Sequence, residues 1–299
     1  MTFHSPPQRP AQRDATRPHV SQRRPLTQTA IVFSTRSPWT TVVAIGAVMM
    51  FAMIQTASAQ SNVRPASYTP AGRMASFRVN NVVSDHQGRT LADHDVLFQS
   101  GKIYDFSNQQ PRFITLIDIA GSRVVLLDTQ TKVKASIATE TLLQVAAQAQ
   151  SLAAEQGKAA RLGVNVPVNV SDDQAIFTTN YGDDVVGQVT YQVETEAAKD
   201  RLMPIAYGQF IDWFGRLDIA RKTGSLPFAR MSVHQQLQGN NRLPLRTTMT
   251  VRRGSDSQTL TATHTRHALN SSDLKRIDEV AGMLTLFKEV DLKDFPATH

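Results

Sequence analysis

Two imidazoles and three carboxylates fall within eleven residues, in Asp85-His86 and Asp93-His94-Asp95. These are the side-chain types that hold zinc or a similar cation. Their spacing argues against it. Adjacent residues of a strand point to opposite faces, no zinc-ligand spacing is matched, and the intervening Gln87-Gly88-Arg89 has the composition of a polar hairpin loop. The expected reading is a solvated turn with no metal, and no cofactor is expected elsewhere.

The other chemical candidates are sparser. His264 and His267, three residues apart on a run of strand composition, fall on opposite faces and share no ion unless a bulge intervenes. His234 stands alone among polar neighbours. There is no G-x-S-x-G elbow and no S-x-x-K followed by its partner motifs, and Gly121-Ser122 and Gly254-Ser255 have turn composition. A phosphate-cradling G-x-x-x-x-G-K-[ST] loop and an H-E-x-x-H helix are also missing. Asp172-Asp173 and Asp183-Asp184 flank one strand. Paired carboxylates serve glycoside hydrolysis and calcium binding, but Asp at a strand end is commonly a turn former.

The remaining feature is apolar. Tyr207, Phe210, Trp213, Phe214 and Leu217 recur at three- and four-residue steps, the spacing of one helix face. Such a face is either plain core or the wall of an apolar ligand cavity, for which Tyr207, Phe210, Trp213 and Phe214 are the candidates. The choice depends on whether the sheet beneath curves enough to leave space. In both cases Trp213, in mid-stripe, is expected to be deeply buried.

The segment Trp39–Ala59 says where these elements work. A basic lead-in ending at Arg36 precedes an uncharged apolar run from Val42 to Ile54, and Ala57-Ser58-Ala59 precedes Gln60. That order is the signature of an export signal with a small-residue cleavage site. Cleavage would fall between Ala59 and Gln60, with Ala57 and Ala59 as the small residues. The same run is near the lower limit for spanning a bilayer, so a retained signal anchor is the alternative, with membrane contact through residues 39–57. Residues 1–38 read as a disordered basic leader, rich in Pro, Arg, Gln and Ser. Residues 60–76 read as a flexible tether.

The charge belongs mainly to the leader. Residues 1–59 hold six arginines against one aspartate, so 26 of the chain's 32 basic and 24 of its 25 acidic residues lie beyond them. No basic footprint for nucleic acid remains there, and no nucleic-acid partner is expected. The chain has no cysteine, which excludes disulfides, a thiol nucleophile and cysteine-ligated metal.

From residue 77 to 299 the pattern is that of a single α+β domain. Val96–Phe106, Arg112–Ile119, Arg123–Asp128 and Lys132–Ile137 read as an antiparallel meander, and a helix follows with Leu142, Val145, Ala146, Ala149, Leu152 and Ala153 on one stripe. Two more strands cover Ala175–Asn180 and Val185–Thr195, before the aromatic helix in Ala197–Lys222. Arg230–Gln236, Pro244–Arg253 and Gln258–Ala268 read as three further strands, and a last helix carries Leu274, Ile277, Ala281, Leu284 and Phe287 behind the cap candidates Asn270 and Ser271. Val290–Phe295 has the composition to close a sheet edge. Strand groups separated by helices imply an antiparallel sheet, flat or curved into an incomplete barrel, packed with about three helices.

The run 101–137, with Gly101, Tyr104, Phe106, Pro111 and the turn Asp128–Lys132, resembles the front of the outer-membrane lipoprotein-sorting fold, the family of periplasmic lipoprotein carriers and receptors. The resemblance implies an incomplete antiparallel barrel closed by helices around an apolar cavity that holds acyl chains. It transfers no functional residue. Three functional expectations follow: an exported, non-catalytic envelope or secreted domain with an apolar or lipid-like ligand; an extracytoplasmic hydrolase whose site gathers scattered Asp and His; and a membrane-anchored envelope scaffold.

Overall fold

The computed structural model describes residues 75–185, 187–223 and 226–296. The leader, the apolar segment with Ala57, Ala59 and Gln60, and the tether as far as residue 74 lie outside the described residues.

Alternating apolar runs from Phe77 onward make an antiparallel meander of β1 (Phe77–Asp85), β2 (Thr90–Gln99), β3 (Lys102–Ser107), β4 (Phe113–Asp118), β5 (Arg123–Asp128) and β6 (Val133–Ala138). Aspartates make its turns. Asp85 accepts the backbone N–H groups of Gln87 and Arg89, Asp118 that of Gly121, and Asp128 those of Gln130 and Thr131, the ordinary turn use of this side chain. The run Val96–Phe106 is therefore two strands, reversed at Ser100-Gly101.

Helix α1 (Thr139–Glu155) follows, then β7 (Asn169–Val170), β8 (Ile176–Asp183) and β9 (Gly187–Ala197). Gly182 is required in this hairpin: its φ is +102°, and an added Cβ would sit 2.0 Å from the carbonyl oxygen of Gly187. Next come α2 (Leu202–Arg221), α3 (Phe228–Gly239), β10 (Arg242–Arg253), β11 (Asp256–His267), α4 (Ser271–Leu286) and β12 (Lys288–Glu289). Pro204 sits in the first turn of α2, where its missing N–H has no helical partner to lose. Helix α4 starts with a full capping box: Asn270 accepts from the N–H of Asp273, and Asp273 accepts from the N–H of Asn270.

All the strands join one open 12-stranded sheet in the order β12-β6-β5-β4-β3-β2-β1-β11-β10-β9-β8-β7. Only β12 pairs in parallel, with β6. At that edge Glu289 also accepts the N–H of Ser136. The α+β class with an antiparallel sheet is thus as expected, but among the described residues four helices accompany it instead of about three. The fourth is α3: Arg230–Gln236, read as a strand, is helical. Its inward positions Ala229, Val233, His234 and Leu237 follow the helical period, but one of them is a histidine, which breaks the apolar signal. Gly215 lets α2 meet this helix closely, since a Cβ there would lie 3.1 Å from the Met231 sulfur and 3.2 Å from Pro227.

The sheet is covered unevenly. Across β3–β5 and the second half of β2 both faces are buried, while β6 buries one face and exposes Ser136 and Ala138 on the other. Val96, Phe98, Ile103, Ile117, Val124 and Leu126 pack with Leu142 of α1 and Tyr207, Phe210 and Leu217 of α2, while Leu97, Tyr104, Phe106, Leu116, Val125 and Leu127 pack with Val280 of α4. This double cover is why β5 reads as an unbroken apolar run. β9 has only one buried face, where Tyr191 and Val193 meet α3 with Phe177 of β8, so it alternates cleanly with Gln188, Gln192 and Glu194.

Phe98 is the hinge of the first core. It is 1% exposed, stacks on Phe77 at 4.2 Å and meets Phe210 edge-on at 6.3 Å. Phe98→Ala should lower the unfolding free energy by about 3–5 kcal/mol, measured by urea denaturation of the full chain with circular dichroism.

Candidate functional site

The register of four strands lines up polar side chains on the helix-bearing face. Asn81 of β1 stands opposite His264 of β11 on one side and His94 of β2 on the other, and His94 stands opposite Ser107 of β3. This row runs outward from beneath α2 and α3 to the open surface.

Its inner end is a closed hydrogen-bonded cluster. His264 Nδ1 lies 2.7 Å from Asn81 Oδ1 and 3.1 Å from the Tyr207 hydroxyl, and its Nε2 lies 2.9 Å from the Thr247 hydroxyl. The Tyr207 hydroxyl also reaches Asn81 Oδ1 at 3.4 Å. Tyr207 lies between two imidazoles, with its ring centroid 6.0 Å from that of His264 and 5.6 Å from that of His234. His234 is 3% exposed. Burial, the facing His264 and the nearby Arg230 push its pKa down to about 3, and burial lowers that of His264 to about 4. Burial also raises the Tyr207 phenol, and raises that of Tyr191 to about 12. The cluster is therefore neutral at physiological pH, and its role is to fix α2 and α3 on the sheet.

The outer end is chemically different. His94 Nδ1 is 2.8 Å from Asp105 Oδ1, with the histidine side chain 31% and the carboxylate 7% exposed. Burial disfavours the imidazolium, but the Asp105 hydrogen bond and the fields of Asp105, Asp93 and Asp95 outweigh it and raise the His94 pKa. Ser107 accepts the Gln110 N–H at 3.0 Å, which leaves its own proton available.

Beyond the row, the same face continues as an apolar strip. The register puts Ala92, Val83 and Ala262 side by side, then Leu260 beside Met249, and Val251 beside Val189. Val83, Ala92, Val251, Leu260 and Ala262 are half-buried and lie outside the buried clusters.

The residues singled out in the sequence distribute as follows. Asp85 closes a turn with Arg89, and His86 is exposed. Asp93 and Asp95 take Asn80, Asn108 and Arg276 on the face opposite His94. His267 pairs across from Arg78, away from His264. The two aspartate pairs sit at opposite ends of β8, about 30 Å apart at strand rise, where Asp173 and Asp183 hold turn N–H groups. Among the described residues no three His, Asp or Glu side chains converge as a metal site.

Of the aromatic stripe, Tyr207 and Phe210 are buried in the first core, and Phe214 packs on Phe210 at 5.5 Å. Trp213 is only half-buried, contrary to the expected deep burial. It lies at the rim of α2, with the Arg216 guanidinium 5.6 Å over its ring. The space under the first turn of α2 is a cleft of about 50 Å³, room for one or two waters. His234 and His264 look isolated in the sequence, which does not show that both pack against Tyr207. The signal that finds them is positional, since each takes an inward slot of its element's period.

No protein-family profile matches the chain, and no curated protein is similar to it. A solved structure of PNGF-II is similar over 74% of this chain and 32% of its own length, at 11% identity and a TM-score of 0.32. The chain thus spans about a third of that structure, and the likeness is too low to inform fold or function. No helix among the described residues is long and apolar enough to cross a membrane.

The buried histidines make stability pH-dependent. Their pKa values of about 3 and about 4 lie below the ordinary 6.5, so the unfolded chain binds protons that the folded chain refuses. Stability is full above pH 6.5 and falls as the pH drops toward the folded values. Between pH 7 and pH 5 each histidine should cost about 2 kcal/mol. His234→Gln should flatten that part of the profile in urea titrations of the full chain across pH.

Proposed function

We propose that this chain is an exported, non-catalytic domain that binds an apolar, lipid-like ligand on the strip beyond helices α2 and α3. The observation that carries this reading is the strip itself, Ala92, Val83, Ala262, Leu260, Met249 and Val251 on one sheet face. It runs from β2 to β10, about 14 Å at the usual strand spacing, a length suited to an acyl chain of medium length. The polar row beside it, His94, Asn81 and Ser107, offers donors and acceptors for a head group. Export is supported by Trp39–Ala59 alone. The ligand contacts proposed here lie on β1, β2, β10 and β11 in place of the α2 stripe, whose Tyr207 and Phe210 already serve the core.

A fluorescent fatty acid such as cis-parinaric acid, titrated into the full chain, should give a saturable signal. Leu260→Lys should abolish it while leaving the protein folded by circular dichroism. Equal binding by that variant, or a signal that never saturates, refutes the reading.

A second reading, an extracytoplasmic hydrolase, is favoured by the Asp105–His94 pair facing Ser107. In it Ser107 Oγ would attack an ester carbonyl as His94 Nε2 takes its proton, and Asp105 would hold the imidazolium. A fluorophosphonate probe should then label Ser107, and His94→Ala should remove the label. A chain without any labelled serine is a binding domain only.

A further inference from the structure

A second cleft, of about 190 Å³, opens on the sheet face that α4 covers, between that helix and the turn joining β3 to β4. It lies across the sheet from the strip and shares with the polar row only Ser107, at the end of β3. Phe106, Pro111, Ile114 and Met283 give it an apolar bowl. About 150 Å³ of apolar space holds one benzene ring, so a ring or a branched side chain fits with a few atoms to spare.

Two opposite charges stand over this bowl. Arg276 is held rigidly: its guanidinium lies flat 4.0 Å from the Phe106 ring centroid, and one nitrogen donates to Asp95 at 3.0 Å. The rest of its planar fork lines the cleft, in the form suited to a carboxylate. Glu279, one helical turn further along α4, also lines the cleft. It forms a long, exposed ion pair with Lys275 at 3.9 Å, its side chain 53% exposed. Residues three apart share a helix face with Cβ atoms about 5–6 Å apart, so the fork and the Glu279 carboxylate approach one bound molecule from the same side. The remaining charges nearby are already neutralised, since Arg112 lies over Phe113 and pairs with Asp128 at 2.5 Å. Ser107 keeps a hydroxyl proton to donate.

A simple anion would meet Glu279, and a simple cation would meet Arg276. A molecule bearing both an ammonium and a carboxylate beside an apolar side chain answers every group in the cleft. We infer that this cleft binds a free α-amino acid with a large apolar side chain, its carboxylate on Arg276, its ammonium on Glu279 and its side chain on Phe106, Ile114 and Met283.

Calorimetric titration of the full chain with L-phenylalanine tests the inference. Saturable binding is expected, weakened about tenfold or more in Arg276→Gln and in Glu279→Gln, the loss typical of a charge-assisted hydrogen bond. Phenylalaninamide, which lacks the carboxylate, and 3-phenylpropionate, which lacks the ammonium, should each bind the native chain correspondingly more weakly. Glu279→Gln alters an exposed side chain, so its result stands even if Arg276→Gln fails to fold. Absence of saturable heat up to about 10 mM, unchanged affinity in Glu279→Gln, or equal binding of the amide and the propionate would each overturn it.

Discussion

The pairing of β1 with β11 is the constraint on which the rest of the structure depends. Its register runs from Arg78 opposite His267 to Asp85 opposite Leu260, and joins segments more than half the chain apart. On one side of this seam lies the meander β1–β6, whose neighbours in sequence are neighbours in space. On the other lie β7–β11, interrupted by α2 and α3. Without the seam β1 and β11 would each be a bare edge. The buried cluster and the apolar strip both straddle it: Asn81 and Val83 come from one side, His264, Ala262 and Leu260 from the other. Such distant pairing forms slowly, because loop-closure entropy must be met before any contact is made.

The seam also divides two regimes of burial. Across β3–β5 the sheet is sandwiched, with α1 and α2 above and α4 below, and its residues are committed to packing on both sides. Across β8–β11 helices cover one face and only part of that. The other face carries Thr248, Thr250, Thr259, Thr261, Thr263 and Thr265, residues that suit a pleated surface without needing burial. What sets the strip beyond α2 and α3 apart is that its apolar side chains continue where the helices end. The hydrogen-bonded cluster of Asn81, His264, Thr247 and Tyr207 marks the limit of helix cover, and its unpaired neighbour His234 is tolerated only as the neutral imidazole.

Much of this architecture was legible in the sequence. The turns at Asp85–Arg89 and Asp128–Lys132, the alternation in β9, the stripe of α1 and the cap of α4 each rest on local chemistry, and local chemistry is what a sequence displays. α3 was misread because its inward face mixes Ala229 and His234 with Val233 and Leu237, which weakens the helical period. Trp213 was misplaced for a related reason. Its helix is apolar on more than one side, so the stripe does not say which aromatic faces the sheet, and an arginine at the next turn draws the indole to the rim. The polar row was invisible because Asn81, His94, Ser107 and His264 become neighbours only through strand register, which no single segment encodes.

The last strand illustrates how little structure is needed to protect an edge. β12 is two residues long, runs parallel to β6 instead of against it, and lends the Glu289 carboxylate to a backbone N–H that no strand reaches. An open ladder at that position would be a template for another copy of the chain, starting from one of the most apolar parts of the sheet. The cover comes from residues 288–289, about 150 positions after the strand they shield. A growing chain therefore carries an unsealed, adhesive border from the completion of β6 until residues 288–289 have docked.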